Sequence, residues 1–147
     1  MSFSVFIATP ILAFQREEYK KFREKLKVLA GKISEHVTVV SAALTVSDFL
    51  AHNTPALSAT QDFNDIENAT HFILIYPRAV PTGALVELGY ALALKKKILI
   101  LATDRELLPH MAKELDDVFF DVQISRLSPD WENVEHTISN FLNIELK

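Results

Sequence analysis

At 147 residues, with 49% hydrophobic residues, 3 Gly and 6 Pro, the chain has the length of one domain, 1–147, and the apolar content for a good core. A net charge of −4 gives no support for a nucleic-acid surface, and the absence of cysteine excludes a disulfide framework, a thiolate nucleophile and a cysteine zinc site. Nothing resembles a signal peptide or a run of about 18 apolar residues, so a cytoplasmic protein without a membrane partner is expected.

Phe3 to Ala8 reads as a buried first strand, stopped by Thr9-Pro10. Tyr19, Phe22, Leu26, Leu29 and Ile33 recur at helical spacing among charges, which predicts an amphipathic helix from about Gln15 to Ser34. Val37 to Val40 is a second strand. A polar connection without a clear period follows, Ser41 to Asn53, of the kind that marks a binding loop or a short irregular helix.

Thr54-Pro55 fits a cap and first helical position, opening a helix to about Asn68 with an inner stripe of Ala59, Asp62, Phe63, Ile66 and Ala69. Asp62 falls on that stripe. An acid among core positions is costly unless it is paired or faces a cavity, so Asp62 either lines a site or sits at the wet edge of the stripe. The neighbouring Asp65 and Glu67 are assigned to the solvent face.

The stretch from His71 to Leu101 reads as strand, loop, helix, strand. Phe72 to Tyr76 and Ile98 to Leu101 are short continuous apolar runs, the form of strands buried on both faces of a parallel sheet. Thr82 can cap the helix between them, predicted from about Gly83 to Lys96, with Lys95, Lys96 and Lys97 at its negative end. Between Arg78 and Lys95 the one charged residue is Glu87, in a helix so apolar that it should be largely enclosed. Desolvation would raise the pKa of this carboxyl and the nearby helix start would lower it. A glutamate kept ionised in a partly dry cleft suits a nucleophile or a stabiliser of positive charge; the alternative is a glutamate reaching solvent along an exposed edge.

Further along, Pro109 to Leu115 is a predicted short helix, Val118 to Ile124 a fifth strand at the sheet edge, and Ser128-Pro129-Asp130 the start of a closing helix. Trp131, Val134, Ile138 and Phe141 give that helix its core face. Five strands alternating with helices, none joined by a tight hairpin, predict an α/β fold: a doubly wound, mostly parallel five-stranded sheet of flavodoxin-like type. Ligands in such folds sit beyond the carboxyl ends of the strands, which places Thr9, Ser41, Tyr76 to Thr82 and Thr103 around one crevice.

Several chemistries are absent. There is no dinucleotide fingerprint, Walker loop, nucleophile elbow or H-E-x-x-H, and the five histidines have no ligand spacing, so no metal is expected. Tyr76-Pro77 stands at the end of the third strand where a phosphate-accepting receiver domain needs an aspartate.

Gln61-Asp62, Ile66 to Ala69 running into the third strand, Thr82-Gly83 and the segment Glu87-Leu88-Gly89-Tyr90-Ala91-Leu92-Ala93-Leu94 resemble the nucleoside 2-deoxyribosyltransferase superfamily and its TIR-like relatives. The similarity covers roughly the first two-thirds of the chain, including Phe6 to Pro10. It implies that Glu87 is the catalytic carboxylate that attacks or stabilises the anomeric carbon, with Asp62 handling a proton or positioning base or sugar. An oxocarbenium-like state next to a carboxylate makes that chemistry coherent. Deoxyribosyltransferases and nucleotide hydrolases take nucleosides or monophosphates, whereas TIR-like members cleave the nicotinamide bond of NAD, many in antiviral defence. The loop Pro77 to Thr82 lacks the glycine and serine expected of a monophosphate cradle, and Thr9 to Phe14 has no glycine. The resemblance therefore implies NAD as substrate rather than cofactor, with Arg78 meeting a phosphate and Phe14 or Tyr76 stacking on a base. Thr9 and Thr82 would line the same site, and Tyr90 would orient Glu87 or belong to the core. A homo-oligomer is the partner expected from the same likeness, and a non-catalytic assembly or sensing module is the alternative class.

Overall fold

The computed structural model describes residues 3–10, 15–45, 54–80 and 82–146. Phe14, Pro81 and most of the polar connection after Ser41 lie outside them. Five strands form one sheet in the order β2-β1-β3-β4-β5: β1 Ser4–Ala8, β2 Thr38–Val40, β3 His71–Tyr76, β4 Lys97–Ala102 and β5 Val122–Arg126. Every pairing among the described residues is parallel, so the doubly wound α/β expectation holds.

Alternation along the strands feeds two cores. Val5, Ile7, Ile73 and Leu99 point to the face covered by α1 (Arg16–Ser34) and α6 (Val134–Leu142). Phe6, Phe72, Leu74 and Ile100 point to the other, covered by α3 (Pro55–Asn68) and α4 (Gly83–Ala93). β3 is buried at all six positions, as a central strand with helices on both sides requires. A short helix, α2 (Ala42–Thr45), follows β2.

Four boundaries and the exposure of one helix differ from expectation. α4 stops at Ala93 because Lys95 adopts a left-handed conformation (φ 58°) and the Lys96 amide bonds back to the Ala91 carbonyl at 3.1 Å, closing the last turn. α4 is also not enclosed: Ala84, Leu88 and Ala91 are buried, while Val86 is 62% exposed, because sheet and α3 cover only one side of it. The predicted strand from Val118 begins four residues later. Leu115–Val118 is instead a helical turn, α5, held where Arg105 forms a two-pronged ion pair with Asp116, at 2.9 and 3.0 Å, and Phe120 points wholly into solvent. The predicted helix from Pro109 to Leu115 is a single 3-10 turn, His110–Ala112, leading to α5, and a further 3-10 turn, Arg105–Leu107, precedes it. The closing helix starts late, at Val134, because Asn133 binds back to Ser128 (Oγ to Oδ1, 2.7 Å) and Trp131 is left-handed (φ 57°).

Candidate active site

α3 and α4 are neighbours on one face of the sheet, and each contributes one acid to their contact. α3 begins with Thr54, whose hydroxyl accepts from the Leu57 amide at 3.3 Å, followed by Pro55 at the first helical position. α4 begins with Thr82, whose hydroxyl accepts from the Ala84 amide at 3.4 Å. With both starts fixed, Asp62 comes from the middle of α3 and Glu87 from the second turn of α4. Their side chains hydrogen-bond to each other.

Two carboxyls in contact cannot both carry charge in a half-dry place. The Glu87 carboxyl is pushed up to about 9, first by burial, then by its hydrogen bond to Asp62 and by that residue's charge. Asp62 is also raised, by burial first; its hydrogen bond from Glu87 opposes the shift and the charge of Asp65 adds to it. Glu87, pushed up to about 9, is therefore the acid that keeps a proton near neutral pH, and it can share that proton with Asp62. The helix start nearby does not reverse this, because burial outweighs the dipole in the second turn.

The remaining expected site residues lie in different settings. Tyr76, at the end of β3, is buried, and its hydroxyl donates to the Val80 carbonyl at 2.9 Å and accepts from the Val80 amide at 3.0 Å. It clasps the loop before α4. Arg78, in that loop, is ion-paired with Glu18 of α1. Thr82 directs its hydroxyl to its own helix. Thr9, just past β1, and Ser41, just past β2, are both buried, and neither hydroxyl has a hydrogen-bond partner among the described residues. Both sit at carboxyl ends of strands.

Tyr90 turns away from Glu87. Its ring stacks on Phe63 of α3, with centroids 4.5 Å apart, and its hydroxyl donates to Glu67. Glu67, assigned to solvent from the sequence, is exposed yet holds both Tyr90 and, through its carbonyl, the Lys96 ammonium at 2.9 Å. Asp65 is likewise half-buried and acts on Asp62. The signal for these roles was the spacing of Phe63 and Glu67, one turn apart on α3, which is informative only once α4 is known to lie alongside.

Among the described residues no side-chain group could hold a metal ion, and no helix is long and apolar enough to cross a membrane. A cleft of about 450 Å³ opens at the carboxyl ends of β4 and β5, apart from the acid pair.

No family model matches the chain, and no curated protein matches it. Among solved structures it is similar to the Clostridium botulinum CMP N-glycosidase BcmB, with a TM-score of 0.63 and 21% identity over 96% of this chain and 99% of that one. The likeness extends through the sheet and its helices from end to end, and at that identity it is a likeness of fold.

Proposed function

We propose that this chain cleaves the N-glycosidic bond of a nucleotide whose base needs a proton to leave, with Glu87 and Asp62 as the catalytic pair. The proton held between the two acids carries this reading. As the bond from base nitrogen to anomeric carbon breaks, its electron pair goes to the base, and the stored proton follows to a base heteroatom. Both acids are then ionised, and Glu87 faces the positive charge developing on the sugar. Water adds to the anomeric carbon, giving the free sugar hydroxyl, and its released proton recharges the pair.

The leaving group favours one of the two substrates raised by the sequence. Nicotinamide departs from NAD as a neutral molecule when its nitrogen takes the electron pair, so it requires no proton. Pyrimidine and purine bases leave as anions unless protonated. A site that holds a proton at neutral pH fits the second group, and the similar fold of a CMP N-glycosidase supports a nucleoside monophosphate. An assembly module has no use for an acid pair whose burial costs free energy. Chromatography of products after incubation with CMP, other monophosphates, nucleosides and NAD, beside Glu87→Gln, tests this. Release of free base that depends on Glu87 is expected. Nicotinamide release with monophosphates intact would restore NAD, and no release from any substrate would overturn the enzyme reading.

A further inference from the structure

The cleft at the carboxyl ends of β4 and β5 is lined by Thr103, Asp104, Arg105, Ser125 and Arg126, with Ala102 and Ile124 beneath. Most of its polar groups are committed. Arg105 is spent on Asp116 and on the Lys113 carbonyl, 2.9 Å away. The Asp104 carboxylate accepts from the Glu106 amide at 3.0 Å, and the Thr103 hydroxyl donates to the Pro77 carbonyl at 2.9 Å. Arg126 differs. Its carbonyl is held by the Asn133 side-chain amide at 2.8 Å, which fixes the end of β5, while its guanidinium has no carboxylate partner among the described residues. Ser125 accepts from the Gln123 side chain at 3.1 Å, which leaves its O–H free to donate.

The cleft wall thus presents one guanidinium without a carboxylate partner among the described residues and one hydroxyl free to donate, beside an Asp104 carboxylate held by a backbone amide. The guanidinium fork matches the oxygens of a phosphate, and the carboxyl ends of parallel strands are where such sheets take ligands. The loop before α4 offers no equivalent: Arg78 is paired with Glu18 and the Val80 amide is taken by Tyr76. We propose that the β4–β5 cleft binds a phosphoryl group, with Arg126 as its cation and the Ser125 hydroxyl as a second donor. The Thr103 to Pro77 hydrogen bond joins this cleft to the loop that leads into the Glu87 helix. The phosphate is therefore either that of the nucleotide substrate, which rests on the function proposed above, or that of a separate phosphorylated ligand.

Amide NMR titration of the full chain with inorganic phosphate tests the site. Saturable shifts at Thr103, Ser125 and Arg126 are expected, with affinity about tenfold weaker in Arg126→Ala and only partly restored in Arg126→Lys, whose ammonium keeps the charge but not the fork. The source is read in Glu87→Gln, where nothing turns over. Displacement of phosphate by CMP but not by cytidine identifies the substrate's own phosphate; phosphate that stays bound beside CMP identifies a separate ligand. Absence of saturable shifts at these amides, or equal affinity in Arg126→Ala, overturns the site. Because no arm needs turnover, its failure is distinct from failure of the proposed activity.

Discussion

Phe63 and Tyr90 stack with their rings 23° apart, and they do so one position past Asp62 and three past Glu87. The aromatic pair runs beside the acid pair, bridging the same two helices. Offset aromatic contacts are worth about 0.5–1.5 kcal/mol beyond their buried area, and the Tyr90 to Glu67 hydrogen bond adds a third tie. The stack and the Tyr90 to Glu67 bond tie α3 to α4 beside the two acids.

Phe63→Ala should loosen that spacing. The Glu87 pKa would fall toward the ordinary carboxylate range as its contact with Asp62 lengthens, and turnover would drop by about tenfold or more. Carboxyl NMR titration beside steady-state kinetics reads both. A normal Glu87 titration in this variant would show that the stack has no positioning role.

Glu87→Gln should fold normally and lose turnover by several orders of magnitude, because the amide can neither release the proton nor carry the charge that stabilises the transition state. Asp62→Asn should lose much of the activity and lower the Glu87 pKa, since the carboxylate that accepts its proton is gone. Activity within about twofold of the parent in Asp62→Asn would remove that acid from the mechanism.

The raised Glu87 pKa fixes a sign for stability. Between the unfolded value of 4.5 and the folded value of about 9, the folded protein holds a proton that the unfolded chain has lost. Stability therefore declines as pH rises through this window, by up to about 1.4 kcal/mol per unit, and the raised Asp62 acts in the same direction. Urea midpoints from pH 5 to 9 should show the decline in the parent and a flatter profile in Glu87→Gln. The proton-donating form should also give kcat/KM an alkaline limb near pH 9.

Tyr76→Phe removes the hydroxyl that serves both polar groups of Val80. A cost of about 1–3 kcal/mol in thermal or urea unfolding is expected, with faster amide exchange at Val80. Unchanged exchange there would mean that the loop is held by other contacts.

The sheet and its order of elements were legible because strands buried on both faces leave continuous apolar runs, and Phe72 to Tyr76 could hardly be anything else. Glu87 and Asp62 were legible as acids out of place, each on a stripe or helix otherwise apolar. Their shared proton was not. It depends on α3 lying against α4, a relation between segments 25 positions apart that neither periodicity contains. The same limit hid Glu67, which looks like an ordinary surface acid until Tyr90 arrives from the neighbouring helix. Val118 to Phe120 misled in the opposite way. The expected edge strand began at Val118, but Arg105 pairing with Asp116 holds the preceding turn, the strand starts at Val122, and Phe119 and Phe120 stay outside.

The hydrogen bond between Glu87 and Asp62 also sets the charge that a nucleotide approaching these acids would meet. With one proton between them the pair presents a single negative charge. Two full charges would repel a phosphate-bearing molecule by a further ~3 kcal/mol for a charge about 5 Å away in a medium of effective dielectric about 20. If the pair acts as proposed, the proton that would assist departure of the base also lowers the barrier to entry of an anion, and alkaline conditions should weaken capture of nucleotides more than capture of uncharged nucleosides.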